Sequence, residues 1–475
     1  MSAHTPPLPL TKGPLIAVAL GAVPAAIAAA YQPLAGLALG VMALALALVR
    51  DTSLRRIGVI LVFATALAGI AGPNLAPPGA GWLFAFRVLI VALALGAIGY
   101  VLLGGRISIP RGLERPFALL GLWVLWSAVS IGWAEDEIAA LRWTAFLAMM
   151  SGLVIALALV CRTTHRVKIL LALLLGAFAV ALLVAAAELL AGVRLPTSRP
   201  GRDASAIFGA TSLFGNQNNF ATFLTLSLPY FAVLPVVYRD VRLRALGLIG
   251  MGAALLGLVY TGSKANVVAA GLVFLALFVV LGLDQRMRGR IVGAAVIGGL
   301  AALLVIPTIQ GSGVVKLPEQ GVTKFDFSLL SEQLESGTGS GALRSSLARD
   351  ALALIEETRG LGVGAGNAET QVKALDAFAR VANLHNWWLE VAVNGGLVAL
   401  LLFGGFYFRL LVGQLRITRR TDDRFVRYLS LAGGLSLIGF FAGSFGPSTA
   451  IHFVPMWIVF ALGVIAVNLG SRRPS

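Results

Sequence analysis

Cysteine is almost missing from the chain: one residue, Cys161, in 475. That excludes an intramolecular disulfide and any cysteine-based metal cluster, and leaves redox chemistry without support. Charge is scarce too, at 12% Asp, Glu, Lys and Arg against about 25% in a soluble protein. Short stretches of strictly alternating polarity do not recur, so an outer-membrane barrel is excluded. No Walker or Rossmann glycine signature follows a strand, no His/Cys/carboxylate grouping has zinc spacing, and no serine-centred nucleophile elbow is present. Nucleotide and metal chemistry are therefore disfavoured, and acid–base and electrostatic catalysis on a substrate activated elsewhere remains.

In place of these stand long apolar runs. The chain is 58% hydrophobic with a mean hydropathy of +0.89, and runs of roughly 17 to 25 residues, each long enough to cross a hydrocarbon core, recur from end to end. With Gly, Pro and charge as punctuation they predict an all-α polytopic membrane protein of about fourteen transmembrane helices, near 15–31, 33–49, 57–72, 82–103, 116–133, 143–161, 169–192, 219–238, 245–262, 265–283, 291–309, 385–412, 428–446 and 449–469. The first run ends in Ala28-Ala29-Ala30 and resembles a secretory signal; it is read as a retained span. In sequence order this gives N-terminal helices over 1–192, central helices over 193–309 with a loop at 193–218, a large loop at 310–384, and C-terminal helices over 385–475.

The net charge of +16 would suggest nucleic acid in a soluble protein. Here the arginines fall in alternate short connections: Arg50/Arg55/Arg56, Arg106/Arg111/Arg115, Arg162/Arg166/Lys168, Arg239/Arg242/Arg244, Arg286/Arg288/Arg290 and Arg416/Arg419/Arg420/Arg424/Arg427. This is positive-inside topology, with both termini cytoplasmic and no nucleic acid implied. The intervening short connections are neutral or acidic, as in Ala134-Glu135-Asp136-Glu137. Two connections on that outer side are long, about Val193–Asn218 and Gln310–Leu384, and long loops on a rigid scaffold usually carry function. Within the second, Leu343, Leu347, Ala351, Leu354 and Ile355 have helical spacing, predicting an amphipathic helix over Leu343–Glu357. The glycine-rich run Arg359–Asn367 ends it and returns the chain to the bilayer.

The richest stretch follows: Leu384-His385-Asn386-Trp387-Trp388-Leu389-Glu390, where a polar loop enters an apolar helix. His385 either caps locally or acts as a general base, since imidazole titrates near neutrality. Glu390 is either a solvated carboxylate or a functional neighbour. Arg344, after Gly337-Thr338-Gly339-Ser340-Gly341, is either a solvated helix-end residue or part of a phosphate seat made of free amides and a guanidinium. Lys264, the only charge in the outer turn Thr261–Asn266, either snorkels or binds an anion. In Phe214–Phe220 one asparagine caps a helix, and Asn218 is a further candidate contact. Arg87 falls inside the fourth span and is read as buried rather than facing lipid. His452 is read as packed, and His165 receives no role.

The order of these pieces is similar to that of the O-antigen ligase and polymerase superfamily. It comprises asparagines at a span start (Gly215 to Asn219), a Thr-Gly-Ser-cation turn (Thr261 to Lys264), an outer loop with an arginine helix and glycine-rich return (Arg344 to Gly366), and then His385-Asn386. His385, Asn386 and Gly396 fit the ligases' motif, whereas Ala399 departs from its end, and Lys264 stands where the family usually has arginine. The resemblance covers about residues 200–410. It implies a GT-C-like membrane glycosyltransferase of the bacterial inner membrane with its large loop periplasmic. Such an enzyme works without metal or other cofactor, taking a glycan from undecaprenyl diphosphate and inverting the anomeric carbon. His385 would take the proton of an acceptor hydroxyl, and Arg344 and Lys264 would hold the diphosphate. Asn386, Asn218, Arg87, Arg202 and Glu390 are further candidates for substrate contact, and membrane lipid would surround the polyprenyl tail. The acceptor is a lipid or glycan in a ligase, or the lipid-linked chain itself in a polymerase. A transporter or flippase for an anionic solute is the rival from another class. It predicts a continuous polar route with ionisable groups deep in several helices, for which Arg87 and Glu188 are the candidates.

Overall fold

The computed structural model describes residues 54–77, 84–102, 107–198, 209–283, 339–375, 383–446 and 450–471. Every regular element among the described residues is helical. Ten helices there are long and apolar enough to cross a membrane, and Val454–Gly470 is a shorter apolar helix. Each overlaps a span expected from hydropathy, while the expected spans at 15–31, 33–49 and 291–309 lie outside the described residues.

The chain divides into two compact units, residues 1–98 and 99–475. In the first, helix α1 (Leu54–Ala71) passes into a 3-10 turn at Gly72–Leu75, and α2 (Ala85–Leu102) begins. Arg87 lies here, its guanidinium 4.9 Å from the centre of the Phe84 ring.

The second unit contains α3 (Arg111–Val129), a 3-10 turn at Ser130–Trp133, α4 (Glu137–Val160), α5 (Thr164–Ala191), α6 (Gln217–Ala232), the single turn α7 (Leu234–Val237), α8 (Val241–Thr261) and α9 (Lys264–Leu283). After these come α10 (Gly339–Glu357), α11 (Ala368–Leu375), α12 (Trp387–Arg420), α13 (Arg424–Gly443) and α14 (Val454–Gly470). Helices α6, α13 and α14 form its centre, buried on most sides; α13 packs against α6, α9, α12 and α14. Glycines allow the close approach that association between apolar helices requires. A Cβ on Gly439 of α13 would stand 2.8 Å from Val273 Cγ2, and one on Gly250 of α8 only 2.1 Å from the Phe231 ring. Gly250→Ala should therefore cost about 1–3 kcal/mol through overpacking, measured as a lower unfolding midpoint in detergent; an unchanged midpoint would show that the α6–α8 contact is looser than this.

Several helix boundaries depart from expectation, and two of them show an electrostatic reason. Helix α4 starts at Glu137 rather than near 143, because the Asp136 side chain accepts from the Ala139 amide at 2.8 Å and caps it. Helix α12 runs to Arg420 rather than ending near 412: Arg419 and Arg420 occupy its last turn, where cations complement the helix dipole. The arginine-rich turns also have a local structural use. Arg166 Nη1 donates to Val160 O (3.0 Å), Arg244 Nε to Tyr238 O (3.0 Å) and Arg427 to Thr421 O, satisfying carbonyls at or beside helix ends.

Candidate functional site

Helix α12 is broken once. Gly396 has φ 68° and ψ −167°, a combination open essentially to glycine alone. The glycine-rich return docks backbone to backbone at this break: Leu397 N donates to Gly360 O and Val363 N to Val393 O, both at 2.8 Å. Two indoles hold the same joint from α3 and the turn after it, Trp126 Nε1 on Gly395 O (2.6 Å) and Trp133 Nε1 on Gly362 O (3.1 Å). A Cβ on Gly396 would stand 2.2 Å from Gly360 O, and one on Gly362 2.4 Å from Gly396 N. No side chain fits at either position.

The break sets where His385 goes. The Trp387 amide donates to Ser444 O at 3.2 Å, just past the end of α13. At about 1.5 Å per residue, Trp387 is about 50 Å along the helix from Arg420, whereas Ser444 is about 30 Å from Arg424. Since only the short turn at 421–423 joins the two helices, a straight α12 would overshoot Ser444 by about 20 Å. Gly396 instead folds the arm Trp387–Gly395 over to the end of α13. Trp387, fully buried, anchors the arm among Trp123, Trp143 and Phe403, with ring centres 5.7–6.2 Å away.

At the tip of the arm His385 is half-buried, in a left-handed conformation with φ 48°. Asn386 caps the arm: its Oδ1 accepts from Trp388 N (3.0 Å) and Leu389 N (3.3 Å). Its carboxamide oxygen is therefore engaged in the fold. Glu390 is 7% exposed, so the reading of a solvated carboxylate does not hold. One turn on, Asn394 donates to Glu390 O (2.8 Å) and accepts from Ala368 N (2.9 Å), pinning α11 to the arm.

The end of α13 leads on to the other candidates. A Cβ on Gly443 would lie 3.1 Å from Asn266 Oδ1, and one on Gly446 2.8 Å from Asn266 Nδ2 and 3.6 Å from Thr222 Oγ1. Asn266 is fully buried and donates to Ser263 Oγ at 3.1 Å; Lys264, half-buried, is the first residue of α9. Thr222 Oγ1 donates to Asn218 O (2.9 Å) in the first turns of α6. Asn216 is the cap of that helix, its Oδ1 accepting from Asn219 N at 2.8 Å. A continuous series of contacts thus joins the arm of α12, the end of α13, and the N-termini of α6 and α9, ends whose dipoles favour anions.

Helix α10 reaches the arm from the long loop. Leu347, Ala351 and Leu354 pack with Val363, Ala368, Val372, Leu384 and Val393, which confirms these members of the apolar face. The helix starts at Gly339, four residues earlier than expected, so Gly339 and Gly341 are helical and Arg344 lies inside the helix. A seat of free amides at Arg344 is not formed. What remains is the guanidinium, one turn before Leu347, which shares a cluster with Leu384, the residue preceding His385. Arg344 is half-buried, and burial lowers its pKa from the usual arginine value. The loss of hydration is a cost that an anionic ligand would offset.

Glu188, fully buried near the end of α5, accepts from Thr211 N (2.7 Å), Ser212 N (3.0 Å), Thr211 Oγ1 (2.7 Å) and Ser198 Oγ (3.1 Å). It anchors the segment entering α6, so its donors explain its burial without an ion path. His452 is exposed, with its ring edge-on to Phe146, 4.0 Å between centres. His165 is also exposed. Arg87 belongs to the other unit, and Arg202 lies outside the described residues. Sequence reasoning passed over Asn383, Glu369, Asn394 and Asn266. The signals it had were an asparagine two residues before His385 and amides set in apolar helices, where each must find a partner.

Residues 249–404 match the O-antigen ligase family. The match takes in the Lys264 turn, α10, the glycine-rich return, His385 and the Gly396 break, and with the relative below it bears out the resemblance read from the sequence: the chain is similar to the O-antigen ligase and polymerase family. A curated relative, the teichuronic acid biosynthesis protein TuaE of Bacillus subtilis (strain 168), is 25% identical over 405 residues, covering 82% of this chain and 80% of the relative.

Proposed function

We propose that the protein is an inverting, metal-independent glycosyltransferase that moves a glycan from undecaprenyl diphosphate to an acceptor sugar hydroxyl at the periplasmic face of the bacterial inner membrane. The observation that supports this reading is the bend of α12 at Gly396, which sets the Trp387 amide on Ser444 O at the end of α13, where Gly443 and Gly446 lie against Asn266 of the helix that begins at Lys264. The family match supports it. His385 takes the acceptor proton as the oxygen attacks the anomeric carbon. The bond from that carbon to the diphosphate oxygen breaks on the opposite face, and the diphosphate leaves as an anion. A diphosphate needs cations rather than a general acid, and Lys264 and Arg344 supply them. Asn218 and Asn386 are further substrate contacts in this reading, and the polyprenyl tail lies along the lipid-facing helices. The full count of about fourteen spans and the GT-C-like arrangement belong to this proposal.

Arg344→Ala should lower kcat/KM about 100-fold and Lys264→Ala by a comparable factor, the loss expected when one group stabilising a developing anion is removed. Arg344→Lys should recover part of the loss, since charge returns without the planar fork. Initial rates of purified variants with lipid-linked oligosaccharide check this.

The acceptor is read as a lipid, making the enzyme a ligase, in line with the description of the matching family. The test is incubation of purified protein with undecaprenyl-diphosphate-linked oligosaccharide, with and without a glycolipid acceptor. Transfer that requires the acceptor supports the ligase. A ladder of lengthening products without it makes the protein a polymerase, and flux of an anionic solute without bond formation would overturn both.

A further inference from the structure

The arm is tied at both ends to one short element. At its inner end Asn394 Oδ1 receives the Ala368 amide (2.9 Å), at the start of α11. At its outer end the next residue of α11, Glu369, accepts from Asn383 Nδ2 through Oε1 (2.9 Å), and Asn383 Oδ1 accepts the His385 amide (2.9 Å). Between Asn383 and His385, Leu384 is buried in the cluster with Leu347 of α10. His385 has φ 48°, which an L-residue with a full side chain adopts only where its surroundings compensate. Asn386, the next residue, spends its side-chain oxygen on capping the arm. Asn383 thus holds the His385 backbone by a direct bond, and its amide nitrogen, drawn to Glu369, keeps its oxygen oriented to His385.

We infer that Glu369 and Asn383 are positioning residues for the catalytic imidazole, a relay through which the long loop sets the direction of His385. The inference rests on the reading of His385 as the base. Neither residue touches substrate; both act through the backbone of His385. Loss of the relay leaves donor binding in place and lowers the rate of the chemical step, since a misdirection of about 1 Å can cost about 100-fold.

The test uses the purified full chain with undecaprenyl-diphosphate-linked oligosaccharide and acceptor. Asn383→Ala should lower kcat about tenfold or more, with KM and unfolding midpoint near wild type. Asn383→Asp should also be slow, because two carboxylates then face each other at hydrogen-bond distance. The exchanged pair Glu369→Gln with Asn383→Asp restores a donor facing an acceptor and keeps the acceptor for His385 N; it should return kcat to within about threefold of wild type, the rescue a restored orienting bond predicts. Wild-type kcat in Asn383→Ala, or an exchanged pair no faster than Asn383→Asp, overturns the relay while leaving the base in place if His385→Ala is inactive. Full turnover by His385→Ala removes the base and the relay together.

Discussion

His385→Ala is expected to lower the rate of glycan transfer by about 10²–10⁴-fold, the range that a positioned general base contributes, while KM for the lipid-linked donor changes little. The reasoning is that an acceptor hydroxyl is a poor nucleophile until its proton has somewhere to go, and that the imidazole contributes in the transition state rather than in binding. The wild-type rate should fall on the acid side as imidazole becomes protonated, since only the neutral ring accepts a proton. The variant's residual rate should lack that limb. Rates measured across pH on both proteins, with equal insertion verified, decide it; an intact acid limb in His385→Ala would assign the base elsewhere.

Gly396→Ala is expected to be nearly as damaging, although position 396 is eleven residues from the histidine. Two independent effects combine. The φ of 68° with extended ψ is a region that alanine avoids at a cost of about 1–3 kcal/mol. The new methyl would also meet Gly360 O at 2.2 Å and Leu361 C at 2.4 Å, backbone atoms that cannot swing aside as a side-chain tip can. The arm would straighten or the glycine-rich return would lift off, and either change takes His385 away from the end of α13. We expect loss of transfer by about 100-fold or more with the spans still inserted. Limited proteolysis should show faster cleavage in the 359–367 return. Wild-type transfer by Gly396→Ala would mean that the arm needs no fold at this glycine.

The spans were legible because an apolar run long enough to cross the bilayer admits few other outcomes, and the apolar face of α10 was legible because Leu347, Ala351 and Leu354 repeat at helical spacing. The break at Gly396 was not legible. Gly395-Gly396 follows Asn394 inside a largely apolar window, where a glycine pair serves equally well for close packing of a straight helix. Its conformation is fixed by Gly360 and Leu361, about 35 residues earlier in the chain, a contact that no local pattern encodes. Asn386 illustrates a different difficulty: the capping signal and the motif signal coincide on one residue, and the structure shows the cap. At Gly339 and Gly341 glycine suggested a turn, yet the burial of the helix further on carried the helix back through them. Asn383 and Glu369 interact across fourteen residues by a single hydrogen bond, which a sequence without its fold does not reveal.

The central claim is that the start of α9 and the tip of the α12 arm face one ligand. It can be tested with an undecaprenyl-diphosphate-linked glycan carrying a photoreactive diazirine on the sugar next to the diphosphate, irradiated with the purified protein and mapped by peptide mass spectrometry. We predict adducts within 262–266 and within 384–389 in the same preparation, both suppressed by excess unlabelled donor. Competed adducts confined to one of these segments, or lying in neither, would contradict the account.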